Sequence, residues 1–332
     1  MPDRVCWFVK ISSLEHPQVF GIGEVGPLFG LSLESQHQVE QELEALPSIF
    51  KNVQSPLSDD PLLIEQIVGI SSLSSSLRFG VVMALLDLYH GGKKKYFESA
   101  FCDGKPLPIN GLVWMADATT MLEKAVEKVE QGFSCIKLKV GSLDFDQECN
   151  VLQAIRSRYS SRDLTIRLDA NGAFTPQDVE EKLKFLSDFQ IHSIEQPLKP
   201  ADQWNHPELG FKSPIPVALD EQLIGRFSSN EKESLMDRLR PSYLVLKPGL
   251  VGGFVECREW ISIAQKRGVG WWITSALETP LGLNAIAQFT ALFDPQLPQG
   301  LGTGQVFEEL FDHPLVVKQG YLSLKSPQKW GL

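Results

Sequence analysis

The sequence predicts a closed α/β barrel preceded by a separate α+β module. Three observations carry that expectation. From Pro108 onward, short apolar runs alternate with amphipathic stretches, the rhythm of strand–helix units around a parallel sheet. There are about eight such runs, the number that closes a barrel. Successive runs also end on a polar residue, at intervals of roughly 25–30 residues, about one strand–helix unit each.

Taken in order, RVCWFVKI and VFGIGEV are apolar or alternating and read as paired strands. Helices are expected over Leu33–Phe50, Pro61–Gly69 and Ser76–Leu88, the last apolar on all sides and therefore buried. Gly91, Gly92 and Lys93–Lys95 punctuate the end of this module. The barrel runs are INGLVW, CIKLKV, TIRLDA, HSIEQP, PVALDE, YLVLKP, WWITSA and GLGTG. Between them, helices are expected at Met121–Gln131, Phe145–Tyr159, Pro176–Phe189, Glu231–Leu239, Phe254–Arg267 and Leu281–Phe293. VVKQGYLSL, near the end, is strand-like and is expected to leave the barrel and return to the N-terminal module. The implied division is an α+β unit over 1–105, joined by 306–332, and a barrel over 106–305. A doubly wound open sheet is the rival, but no GxGxxG follows its first strand.

Composition excludes several functions. Hydrophobic residues at 43% and charged residues at 22% describe an ordinary globular protein. A net charge of −10 argues against coating nucleic acid, which needs a basic field. It leaves an anionic small molecule open, because a bound cation and a few lysines reverse the potential inside one pocket. No segment approaches the ~20 apolar residues of a membrane-spanning helix, and MPDRVCWFVKIS has no signal-like apolar core. The five cysteines are scattered, odd in number and form no CxxC; reduced thiols and a cytoplasmic location are expected. No histidines stand at zinc-like spacing, and no GxSxG or Walker sequence is present. His192, beside an apolar strand, reads as structural.

The polar residues closing the apolar runs are Lys139, Asp169, Glu195, Asp220, Lys247 and Ser275. In a barrel they share the C-terminal rim, where such folds place their active sites. Asp169, Glu195 and Asp220 close three successive strands. Each alone reads equally as a helix cap or a rim ion pair, but three together would repel one another. A hard divalent cation with an oxygen shell, magnesium above all and manganese as a substitute, relieves that repulsion. Alternation sends Lys137 and Lys139 to one face and Leu138 to the other. Two adjacent ammonium groups depress each other's pKa, and a lysine lowered toward ~7–8 serves as a base. Lys247, in LVLKPG, stands on the opposite wall as an acid, a base or a stabilising cation. Asn171 is read as a hydrogen-bonding partner of base or substrate, or as a turn residue. Glu221, next to Asp220, should point away from it and is read as supporting the site from behind the ligands. Ser275 and the amides near Gly302–Gly304 are candidates to hold a substrate carboxylate.

KLK, LDANGAF, IEQP, ALDE and LVLKPG, in this order and spacing, resemble the enolase superfamily in its muconate-lactonizing subgroup. That resemblance implies a (β/α)7β modified TIM barrel under an α+β capping domain. It also implies the superfamily's general chemistry, a lysine or histidine base working beside one or two magnesium ions. GIGEVGPLFGLS resembles the family's capping loop, and SLRFGVVMALLDL its domain-junction helix. Members usually carry one more cap strand ahead of RVCWFVKI, whereas this sequence begins almost at that point. INGLVWM, SALETPLGLNAIAQF and GLGTGQVF resemble the o-succinylbenzoate synthase family within the subgroup. The resemblance implies dehydration of a small dicarboxylate, 2-succinyl-6-hydroxy-2,4-cyclohexadiene-1-carboxylate, to 2-succinylbenzoate through an enediolate, in menaquinone biosynthesis. It gives Lys139 the proton, Asp169, Glu195 and Asp220 the magnesium, Lys247 the opposing charge, and Lys137, Asn171, Ser275 and Gly302 contacts to substrate. Dipeptide epimerases and N-acylamino acid racemases of the subgroup use the same two lysines. Dipeptide epimerases usually carry Asp-x-Asp where this chain has Gly302-Thr303-Gly304-Gln305, which counts against that activity. A non-catalytic binding protein on the same fold would be marked by a lost lysine or metal ligand; all are present.

Overall fold

The computed structural model describes residues 4–51, 53, 58–302 and 311–331. It opens with an antiparallel hairpin, β1 (Trp7–Ser12) and β2 (Phe20–Val25), registered so that Trp7 faces Val25. Three helices follow. α1 (Gln36–Phe50) starts three residues later than the apolar pattern suggests, because Ser35 accepts the Gln38 N–H and caps it. α2 (Pro61–Val68) has Asp60 as its cap, Pro61 in its first turn and a left-handed Gly69 at its end. α3 (Ser75–Tyr89) is buried along nearly its whole length and has no polar stripe, since β2 covers one side and the barrel the other. Gly21 and Gly23 permit that contact: a Cβ at either would run into the α3 carbonyls of Ala84 and Gly80.

A short strand, β3 (Leu107–Pro108), leads into the barrel. Its units are β4 (Gly111–Val113) and α4 (Ala118–Glu130), β5 (Cys135–Lys139) and α5 (Phe145–Arg156), β6 (Thr165–Asp169) and α6 (Val179–Ser187). β7 (Ser193–Glu195) is followed by two short helices, α7 (Pro200–Asn205) and α8 (Leu209–Lys212), which the sequence pattern does not mark. Both are too short to show a helical period. Then come β8 (Val217–Leu219) and α9 (Ser229–Leu239), β9 (Tyr243–Leu246) with α10 (Pro248–Val251) and α11 (Gly253–Lys266), and β10 (Gly270–Ile273) with α12 (Pro280–Ala291).

β4 to β10 form one parallel sheet in sequence order. Gln299 and Gly300 close it, Gln299 bridging Ile109 and Gly300 bridging Thr274. The Asn110 N–H donates to the Gln299 carbonyl at 2.9 Å and the Gly300 N–H to the Ile273 carbonyl at 2.8 Å. This is the expected (β/α)7β barrel. The C-terminal hairpin, β11 (Leu315–Lys318) and β12 (Tyr321–Leu324), pairs with β3 in a sheet separate from β1–β2. Its strand partner is therefore the entry to the barrel, and not the N-terminal hairpin.

Beneath the rim the barrel interior is plugged. Arg167 shares the inward face of β6 with Asp169; its guanidinium stacks on Trp272 at 4.0 Å and donates to the Pro298 carbonyl. His192 packs on Tyr243, and burial together with Arg167 pushes it down to about 4, so it is a neutral structural residue as expected. Among the described residues no helix is long and apolar enough to cross a membrane. All five cysteines are unpaired.

Candidate active site

Lys139, Asp169, Glu195, Asp220, Lys247 and Ser275 end, or directly follow, consecutive parallel strands, so the sheet gathers them at one rim. Register sets Lys139 beside Asp169 and Asp169 beside Glu195. β5 and β9 stand four positions apart in an eight-position ring, which puts Lys139 and Lys247 on opposite walls. Between them lies a cavity of about 280 Å³, lined by Lys137, Lys139, Asn171, Lys247, Ser275 and Gly302 among others. The three acids lie under it, essentially inaccessible at 0%, 1% and 2% exposure. Thr303 and Gly304 fall outside the described residues.

Alternation on β5 acts as the sequence implies. Leu138 is buried outward while both lysines turn in and meet the same oxygen: Asp169 Oδ2 accepts from Lys137 Nζ at 2.8 Å and from Lys139 Nζ at 2.7 Å. Lys137 also donates to both oxygens of Glu195 at 3.1 Å. Mutual depression of two lysines is not what governs Lys137. Burial pulls its pKa down, but Asp169 and Glu195 outweigh burial and hold it above the usual lysine range. In return Lys137 and Lys139 overcome the burial of Asp169 and hold its carboxyl well below the usual range. Lys247 donates to Asp220, and against burial Asp220, Glu221 and Glu195 raise its pKa, so it is a fixed cation.

Glu195 and Asp220 go the other way: burial raises the Asp220 carboxyl even against Lys247, with Glu221 and Asp169 adding to it. Burial first, and then Asp169, push Glu195 up to about 8 despite Lys137 and Lys247. The ammonium groups therefore do not neutralise the acids in full. Among the described residues no three His, Cys, Asp or Glu side chains already surround a common cation position: Lys137 Nζ stands between Asp169 and Glu195, and Lys247 takes Asp220. Three buried carboxylates on adjacent strands, two of them raised by burial and by neighbouring acids despite the ammonium groups, fit a hard divalent cation.

Asn171 takes both parts expected of it, partner of Lys139 and turn residue, while other contacts were not legible in sequence. Asn171, left-handed at φ 43°, receives Lys139 on its Oδ1 and donates through Nδ2 to Glu221 Oε1 at 2.8 Å. Glu221 thus turns toward the site, contrary to strand alternation, because it begins a 3-10 turn at Glu221–Leu223. Ser275 lines the cavity, yet its hydroxyl donates to Glu278 and accepts the amides of Leu277 and Glu278, so its own turn engages it. Leu28, Phe29 and Leu31, from the loop after β2, form an apolar wall, and Trp114 a second one. Arg4 donates to the carbonyls of Gly26 and Leu277 and thereby ties that loop to the loop after β10. The apolar character of the capping loop was the available signal for the first wall, and Trp114 falls in the INGLVWM run without being assigned a place there; nothing in the sequence marked Arg4.

Comparison with known proteins agrees with this geometry. The family model described as Enolase C-terminal domain-like matches residues 120–332. An o-succinylbenzoate synthase of Desulfotalea psychrophila is 42% identical, across 98% of this chain and 93% of that protein. The crystal structure of MenC from the same organism superposes with a TM-score of 0.84 at 40% identity, covering 97% of this chain and 94% of that one. An N-succinylamino acid racemase of an Amycolatopsis species is more distant, 28% identical over 58% of this chain and 51% of that protein. The chain belongs to the enolase superfamily and, within it, to the o-succinylbenzoate synthase family.

Proposed function

We propose that this protein removes water from 2-succinyl-6-hydroxy-2,4-cyclohexadiene-1-carboxylate to form 2-succinylbenzoate, a step of menaquinone biosynthesis. The observation that carries the reading is the pair of opposed lysines, Lys139 and Lys247, above three buried acids, in a chain 42% identical to an o-succinylbenzoate synthase. The family is generally dependent on a divalent metal. Asp169, Glu195 and Asp220 would hold magnesium or manganese, which when bound would supply positive charge to stabilise the anion formed on the substrate.

Lys139, as the free amine, takes the proton from C1. The C–H pair moves toward the carboxylate, whose growing charge is met from the opposite wall by the Lys247 ammonium. The pair then returns to form the C1–C6 double bond as the C6–O bond breaks. Lys139 gives its proton to the departing hydroxide on the same face, water leaves, and the amine is restored. Asn171 and Asp169 fix the Lys139 amine before the reaction. Leu28, Phe29, Leu31 and Trp114 shield the ring from water. In this reading residues 1–105 with 306–332 form the cap and 106–305 the catalytic barrel. The five unpaired thiols suit a cytoplasmic enzyme.

The test is to incubate the protein with magnesium and the cyclohexadiene and follow the aromatic product. Steady conversion is expected. Racemisation of N-succinyl amino acids without any dehydration would overturn the assignment.

A further inference from the structure

Arg4, just ahead of β1, reaches two loops that wall the cavity. Its guanidinium donates to the carbonyl of Gly26, two residues before the cavity residue Leu28. It also donates to the carbonyl of Leu277, itself a cavity residue on the loop after β10. The planar fork of an arginine suits such a double contact, since one rigid group serves two acceptors. The charge has its own reason to stay there: Glu24 is fully buried, and Arg4 opposes the rise that burial causes in its carboxyl.

Both acceptors are shaped to this contact. The backbone of Gly26 is not left-handed, so its conformation does not call for glycine. Space does: a Cβ there would stand 2.6 Å from an Arg4 nitrogen and 3.2 Å from Cζ. Leu277 is left-handed at φ 68°, which a leucine disfavours and cannot steady with a side-chain hydrogen bond. Its surroundings must therefore hold it. Its N–H donates to the Ser275 hydroxyl at 2.9 Å, and Arg4 holds its carbonyl. The side chain thus fixed is part of the cavity wall.

We infer that Arg4 is a positioning residue: by holding Gly26 and Leu277 together, it sets the apolar walls at Leu28 and Leu277 against the carbon skeleton of the substrate. It acts through those walls and not through the reacting groups, so it bears on binding more than on turnover. The choice of ligand rests on the proposed dehydration.

The test sets Arg4→Gln and Gly26→Ala beside the wild type, all with magnesium. The first removes the charged fork. The second keeps the arginine and pushes its guanidinium, the flexible end of the side chain, off the loop. With the cyclohexadiene, both should raise KM roughly tenfold, the scale of one charge-assisted hydrogen bond lost. kcat should change by under about twofold, because binding shared by substrate and transition state leaves it alone. Arg4→Lys, which keeps the charge, should recover part of the KM. Unchanged KM, or kcat falling as much as KM rises, overturns the inference. Amide hydrogen exchange reads the walls without any substrate. In Arg4→Gln, segments 26–32 and 275–279 should exchange faster together while α5 keeps its wild-type rate. Faster exchange in one segment alone, in neither, or throughout the chain overturns the inference. Turnover by the wild type is scored separately: an inactive wild type defeats the dehydration reading, and the exchange result then decides the role of Arg4 by itself.

Discussion

Glu24 ties the strand leading into one wall of the cavity to the helix that follows another. It sits near the end of β2, just before the loop that supplies Leu28, Phe29 and Leu31, and is fully buried. Its carboxylate accepts the Thr279 N–H at 2.9 Å, the Thr279 hydroxyl at 2.6 Å and the Gly282 N–H at 3.0 Å, so a cap strand closes the N-terminus of α12. Glu24→Ala strands the buried Gly282 amide and the half-buried Thr279 amide and hydroxyl. At ~1–3 kcal/mol for each orphaned donor, with the hydroxyl free to turn elsewhere, the loss is ~4 kcal/mol. Taking ~2.1 cal/mol/K of unfolding entropy per residue, a chain of this length should lose ~6 °C in Tm. Glu24→Gln keeps one acceptor oxygen and should lose about half as much. Because Thr279 lies two residues after the cavity residue Leu277, KM should rise as well. Scanning calorimetry of the two variants decides the matter. A Glu24→Ala protein melting within ~2 °C of wild type would show that this seam does not hold the cap, since the expected shift is about threefold larger.

Three further outcomes are expected. In chelated protein, Glu195 titrates from 4.5 when unfolded to about 8 when folded. The folded state therefore keeps a proton the unfolded chain has released, and stability falls as pH rises between those values. Wild type should thus lose Tm relative to Glu195→Gln between pH 5 and 8, and saturating magnesium should shrink that difference; parallel curves would remove the charge argument. Gly23→Ala should destabilise severely, because the new Cβ meets the backbone of α3 at Gly80 and Ala84; chemical denaturation with an unchanged midpoint would contradict that contact. Asn171→Ala should lower kcat about tenfold or more by freeing Lys139 and costing the left-handed turn its preferred residue; unchanged kcat would deprive Asn171 of its positioning role.

Much of the site was legible because barrel geometry repeats. Lys139, Asp169, Glu195, Asp220 and Lys247 each end a strand, and a parallel sheet in sequence order must bring such ends together. Alternation likewise gave the inward turn of Lys137 and Lys139. What escaped was of two kinds. Contacts between distant segments have no local signature: Glu24 meets Thr279 across 255 positions, and Arg4 meets Leu277 across 273. Rules of regular structure also lapse where that structure ends. Glu221 turns inward once its strand has given way to a 3-10 turn, and Ser275 spends its hydroxyl on the turn that follows β10. The protonation of Lys137 differs from the expectation for a related reason: both carboxylates are legible as strand ends, but not that the Lys137 ammonium stands within hydrogen-bond reach of both and so stays charged.

The central claim is that Lys139 carries the proton in a metal-supported enolisation. The most direct measurement sets wild type beside Lys139→Ala, both with magnesium, following aromatic product and metal affinity together. Wild type should turn over, while the variant should bind magnesium normally and lose at least ~10³-fold in kcat, the scale expected for removal of a general base. Retained turnover in Lys139→Ala would contradict the account.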